Sequence, residues 1–131
     1  MEHSEYYEAD VLAYFSGKPE ELALYEEVYA QLCRAFPDAS VKVQKSQISF
    51  YNRHLFAAVS LPWRKVKGWP EEYLLVSLGL SYHKESPRVA VATEPYPNRW
   101  THHVVLSDPA QADGQLMAWL EEAYTCAMSK R

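Results

Sequence analysis

Glycine is scarce in this chain, with four in 131 residues, and no two of them form a loop that could cradle a phosphate. Cysteine is scarcer. Cys33 and Cys126 are too few for a disulfide scaffold and stand in no redox or protease motif. Both fall in predicted helices, where a free thiol behaves as a small hydrophobe. Long apolar runs are missing too: the most apolar stretch, Tyr73 to Leu80, is far shorter than the roughly 20 residues a membrane-spanning helix needs. There is no excess of positive charge, since 13 Lys and Arg face 17 Asp and Glu for a net charge of -4. That balance argues against a whole-surface attraction to nucleic acid, which requires a concentrated cationic footprint. Met1 to Glu8 is acidic and lacks the apolar segment of a secretory signal. The expected location is the cytoplasm, with no membrane contact.

What is present is an ordinary globular composition with a surplus of aromatics. Apolar residues make up 48%, so a core can form, and a chain of this length is read as a single domain over residues 1–131. Ten Tyr and four Trp serve cores, pockets and partner surfaces alike, because each carries a polar tip on an apolar body. Residues 1–9 read as a flexible lead-in. Asp10 to Phe15 suggests a short helical turn closed by Ser16-Gly17, and Pro19 then suits the first position of a longer helix. Leu22, Tyr25, Tyr29, Leu32 and Phe36 recur at helical spacing and predict its buried face.

The middle of the chain changes to a two-residue period. Val41 and Val43 alternate on one parity, Ile48 and Phe50 on the other, so a bulge, bend or turn is required near Lys45-Ser46-Gln47. Asn52-Arg53 predicts a tight turn into a strand from His54 to Leu61. Pro62 to Pro70 reads as a loop, Tyr73 to Leu80 as a central strand, Arg88 to Thr93 and Trp100 to Leu106 as two more. Asp108-Pro109 predicts the start of a final helix by cap and N1 preference, with Leu116, Trp119, Leu120, Ala123 and Ala127 as its buried stripe. The expected fold class is α+β: about five mainly antiparallel strands in one curved sheet, with N- and C-terminal helices packed on one face.

The densest cluster of groups capable of recognition is Arg99-Trp100-Thr101-His102-His103. Neighbours on a strand point to opposite faces, so His102 and His103 cannot chelate one metal together. One should face the helices and the other the open side of the sheet. No cofactor motif and no nucleophile elbow occurs, and Glu71-Glu72 and Glu121-Glu122 read as solvated edges. The reading is a non-enzymatic binding module without a cofactor. Its partner, an anionic or aromatic small molecule or a protein segment, would sit on the sheet face away from the helices. Parity assigns Lys45, Gln47, Ser49 and Tyr51 to that face, joined by Tyr73 and Ser77 and by either Trp100 with His102 or Thr101 with His103. Arg88 and Arg99 stand near strand ends as anion donors. Two alternatives come from other classes. A metal-handling protein would use His54, His83 and one of the paired histidines, or the acidic N-terminal segment. A nucleic-acid accessory domain would use the loop from Trp63 to Trp69, where Arg64, Lys65 and Lys67 interleave with aromatics.

Four short motifs, in order, resemble a small uncharacterised bacterial family, a domain of unknown function sometimes found at the C-terminus of predicted transport proteins. They are Phe15-Ser16-Gly17-Lys18-Pro19, Gln47-Ile48-Ser49-Phe50, Arg99-Trp100-Thr101-His102-His103, and Trp119-Leu120 with Ala123-Tyr124. The resemblance spans about residues 12 to 127. It implies an α+β domain with a curved sheet and terminal helices, and brings no established activity and no catalytic residues. That domain is in turn similar at fold level to frataxin-like iron chaperones, which bind iron through acidic surface ligands. Here the acidic residues lie mostly in the terminal segments and form no clear patch.

Overall fold

The computed structural model describes residues 1–62 and 66–130. Two helices lead, α1 (Tyr7–Tyr14) and α2 (Pro19–Ala35). Six strands follow: β1 (Ser40–Val43), β2 (Ile48–Asn52), β3 (His54–Ser60), β4 (Leu74–Leu80), β5 (Val89–Tyr96) and β6 (Arg99–Leu106). A 3-10 turn (Pro109–Gln111) precedes the closing helix α3 (Gly114–Met128). The strands form one open sheet in the order β1-β2-β3-β4-β6-β5, every neighbouring pair antiparallel. The α+β class with helices on one face is as expected. The strand count is six because the parity break is a true turn, not a bulge. Gln44 donates its amide to the Gln47 carbonyl at 2.8 Å, and Val41 and Val43 pair with Phe50 and Ile48 on the same face.

Pro19 opens α2, as its fixed φ favours, with Glu20 and Glu21 at the positive end of the helix dipole. Its buried residues are Glu21, Leu24, Tyr25, Val28 and Leu32, so the inner face is turned away from the predicted Leu22 and Tyr29 positions. Those two are half-buried at its margin. The reason is α1, whose Tyr7 ring stacks on Tyr29 with centroids 5.2 Å apart and whose hydroxyl lies 2.6 Å from that of Tyr25. Helical spacing within α2 cannot reveal a second helix leaning on its flank. Residues 1–9 contribute to this packing: Glu2 bridges to Ser40 beside β1, and Tyr7 is buried.

The last helix begins later than expected. Asp108 and Pro109 start only the 3-10 turn, closed by a capping box in which Gln111 reaches back to the Asp108 amide. Asp113 then caps α3, accepting from the Leu116 amide at 3.0 Å. Two cap-like acids lie in sequence, and only the second precedes an uninterrupted helix. The predicted stripe Leu116, Trp119, Leu120, Ala123 and Ala127 is buried throughout. This face lies over β3 and β4, while α1 lies over β1.

Candidate functional site

Strand pairing fixes which residues face the helices. On β4 and β6 the cross-strand pairs Leu74 with Leu106, Val76 with Val104 and Leu78 with His102 are buried beneath α3. The alternate pairs, Leu75 with Val105, Ser77 with His103 and Gly79 with Thr101, therefore face away from the helices. His102 is the structural histidine and His103 the one on the open face. Thr101 goes with His103; Trp100 goes with His102 to the helix side, where its ring stacks on His83 at 4.7 Å.

The open face is not flat. Two hollows, of about 400 and about 460 Å³, meet over the Ser77–His103 pair and share Gln47, Ser77 and His103 in their walls. Together they make one groove along the middle strands. Its first half is bounded by His54, Leu55, Gly79, Arg99, Thr101 and Lys130. Its second half is bounded by Leu61, Pro62, Val66, Trp69, Tyr73 and Leu75. The first half exists because β3 and β4 part company. Their ladder stops at Ala57 with Leu78, whereas β4 stays paired to β6 as far as Leu80 with Trp100. An irregularity in β3, where Phe50 pairs with Ala57 but Tyr51 already with Leu55, leaves Phe56 as an extra residue and turns the strand end aside. The cleft so opened reaches as far as Cys126 and Lys130 at the end of α3.

At the centre, Ser77 Oγ and His103 Nδ1 are 2.7 Å apart. Burial pushes the His103 pKa below the ordinary 6.5, so the imidazole is neutral at neutral pH. In the tautomer that carries its proton on Nε2, His103 accepts from the Ser77 hydroxyl and keeps one N–H donor; in the other, Nδ1 donates to Ser77 Oγ. Beside it, Ser49 is buried, donates to Gln44 Oε1 at 2.5 Å and accepts from Gln47 Nε2 at 2.9 Å. These bonds fix the Gln47 side chain against the groove wall.

Several residues expected on the face have other positions. Arg88 is tied to the start of α3, donating to Asp113 Oδ1 at 2.8 Å, Gln115 Oε1 at 3.0 Å and the Gln111 carbonyl at 2.6 Å. It also lies over the Trp119 ring, so it anchors the crossover from β4 to β5 on the helix side. His102 Nε2 accepts the Lys84 amide at 2.9 Å, its Nδ1 is buried without a hydrogen-bond partner among the described residues, and burial lowers its pKa. Lys45 is exposed in the β1–β2 turn and borders neither hollow. Tyr51 is on the open face opposite Ser40, away from the groove and beside the N-terminal segment. Tyr73 is buried at the groove's far end, edge-on to Trp69 at 5.6 Å. Of the nine residues expected to bind a ligand, Tyr73, Arg99 and His103 line the groove in the expected sense. Ser49 braces it, and Trp100 borders the first half only through the cleft between β3 and β4.

Sequence reasoning overlooked Gly79, Ala58 and Leu75 as groove residues. A signal was available. On β4 the outward parity carries Ser77 and Gly79, and Ala58 and Thr101 stand opposite them, so a row of small side chains crosses three central strands. Small residues on one face of a sheet leave a hollow unless something else fills it. A Cβ added at Gly79 would come no nearer than 4.0 Å to any heavy atom outside the adjoining residues, the nearest being the Trp100 carbonyl oxygen, so a side chain there has room.

The groove has a definite charge character. Among the described residues lining its two halves there is no carboxylate, while His54, Arg99, His103 and Lys130 all border the first half. No charged residue lines the second half among those described. For the metal alternative, no group of three His, Cys, Asp or Glu side chains converges among the described residues. His83 is held against Trp100, remote in role from His54 at the β2–β3 turn. In the aromatic loop, Trp63, Arg64 and Lys65 lie outside the described residues, whereas Val66 and Trp69 close the groove's second half. No described helix is long and apolar enough to cross a membrane.

Compared with known proteins, residues 11–127 match the model of a family described as a domain of unknown function (DUF5655). No curated protein and no solved structure matches the chain.

Proposed function

We propose that this chain, which belongs to the DUF5655 family of domains of unknown function, is a cytoplasmic, non-enzymatic module that binds an anionic small molecule in the open-face groove. The observation that carries this reading is the separation of charge: Arg99, Lys130 and His54 border one half of the groove, His103 stands where the halves meet, and no carboxylate lines either half among the described residues. An anion there meets Arg99, the His103 N–H and the Thr101 hydroxyl without a competing negative charge, and charged hydrogen bonds are the strong ones. Hollows of this size suit a small organic ligand.

Ser77 and His103 could suggest a nucleophile and its base. Binding is the better reading for two reasons. His103 has no carboxylate partner among the described residues to orient it. Ser77 itself is paired in ladders on both sides, with Ala58 and with His103, so it stands in a regular strand and not on the sharp turn that exposes a nucleophile. Cys33 and Cys126 are both free, in keeping with a reducing compartment.

The test is a thermal-shift screen of anionic metabolites on the natural protein, Gly79→Val and His103→Ala. Valine suits a strand and fills the groove floor without entering the core. Hits that stabilise the natural protein should lose their effect in both variants. Shifts that persist in both would place the binding elsewhere and refute this reading.

A further inference from the structure

We infer that the groove's ligand is an elongated amphiphile with a single anionic head, such as a medium-chain carboxylate, lying with its head at Arg99 and its tail under Trp69. This rests on the groove being the binding site and adds the ligand's class and direction.

Three observations carry it. The first is polarity along the groove. The half bordered by Arg99, Thr101 and Lys130 is the cationic one, and the half bordered by Leu61, Pro62, Val66, Trp69 and Leu75 holds no charged residue among those described. A compact polyanion such as inorganic phosphate would use the first half and leave the second, with its Leu61, Pro62, Val66, Trp69 and Leu75 side chains, filled with water. An uncharged lipid would use the second and leave Arg99 without a partner from the ligand.

The second is length. On β4 the groove floor runs from Gly79, level with Thr101, to Leu75, level with Val105. Four steps at ~3.4 Å per residue give about 14 Å. An extended chain advances about 1.2 Å per backbone bond, so roughly ten to twelve bonds span that floor. Each hollow alone, at about 400 and about 460 Å³, is roomier than a carboxylate requires.

The third is the floor itself. Ala58, Ser77 and Gly79 are short, so a chain can lie along the strands, and the hydrogen bond between Ser77 Oγ and His103 Nδ1 pairs those two atoms beneath it. Polar groups that bond to each other present less desolvation cost to a methylene chain than unpaired ones. Trp69, packed edge-on to Tyr73, then closes the tail end.

Binding of decanoate, 1-decanol and acetate is measured by calorimetry and amide NMR on the natural protein, Arg99→Ala and Gly79→Val. Decanoate should bind best. A buried methylene is worth roughly fourfold in affinity, so acetate should be weaker by well over about a hundredfold. Decanol, lacking the head charge, should be weaker than decanoate by about tenfold or more. Arg99→Ala should remove the preference for decanoate over decanol and leave decanol binding unchanged, and Gly79→Val should abolish both. If acetate binds in the groove as tightly as decanoate, the groove remains an anion site and the amphiphile is wrong. If decanol equals decanoate in the natural protein, the head-group assignment is wrong and the inference falls. If none of the three perturbs the groove amides, both the ligand class and the site are overturned.

Discussion

At the scale of single residues, the adjacent histidines have opposite fates dictated by strand alternation. His102 is sealed under α3 with the Lys84 amide on its Nε2, and His103 is half-buried on the open face with Ser77. Both have pKa values lowered by burial. A histidine held below 6.5 when folded binds fewer protons than its unfolded counterpart as pH falls past that value. The associated stability is therefore complete above about pH 6.5 and declines as the pH drops toward the lowered values. The melting temperature should fall between roughly pH 7 and pH 5, and His103→Gln should make that fall shallower. Asp113 and Glu122, whose pKa values are lowered by hydrogen bonds, stabilise the fold at neutral pH and lose that contribution only in more acidic solution. At neutral pH, His103→Ala should cost on the order of 1 kcal/mol in denaturant unfolding, the worth of one partly exposed hydrogen bond. That the two histidines must separate was legible from parity alone. Which of them faced outward was not, because it depends on how β6 registers with β4, and that is a long-range choice.

Among elements, one contact joins the two leading helices and another ties the last helix to the start of β5. Tyr7 on α1 and Tyr25 on α2 share a buried hydroxyl contact of 2.6 Å, and burial raises both pKa values. Tyr7→Phe leaves the Tyr25 hydroxyl without that partner and should cost about 1–3 kcal/mol. Replacing both by Phe should cost less than the two single changes added together, which a double-mutant cycle measures. At the other end, Asp113 both caps α3 and accepts from Arg88. Asp113→Ala should destabilise by roughly 0.5–2 kcal/mol through the lost cap, and Arg88→Ala by about 1 kcal/mol since the pair is partly solvated. Neither should change ligand affinity, which separates Arg88 from the recognition role that its place near a strand end first suggested. α2 and the stripe of α3 were legible because their periods are long and regular. The Arg88 anchor was hidden because Asp113 and Gln115 lie some 25 positions away in the chain.

Over the whole molecule, helices occupy one face of the sheet and the groove the other. The sheet's class and its antiparallel pairing follow from short links and alternating residues. The groove depends on features no local pattern announces: the irregularity at Phe56, the early end of the β3–β4 ladder, and the chain from Val66 to Trp69 folding over the open face. Its floor was partly legible in the outward parity of Ser77 and Gly79. The charge separation emerges only when Arg99 of β6, His54 of β3 and Lys130, just past the end of α3, border the same hollow.

The most direct measurement is an amide NMR titration with anilinonaphthalene sulfonate, an aromatic monoanion. The account predicts that shift changes concentrate at Gln47, Ser77, Gly79, Thr101 and His103 and vanish in Gly79→Val. Changes confined to the helices, or unchanged in that variant, would contradict it.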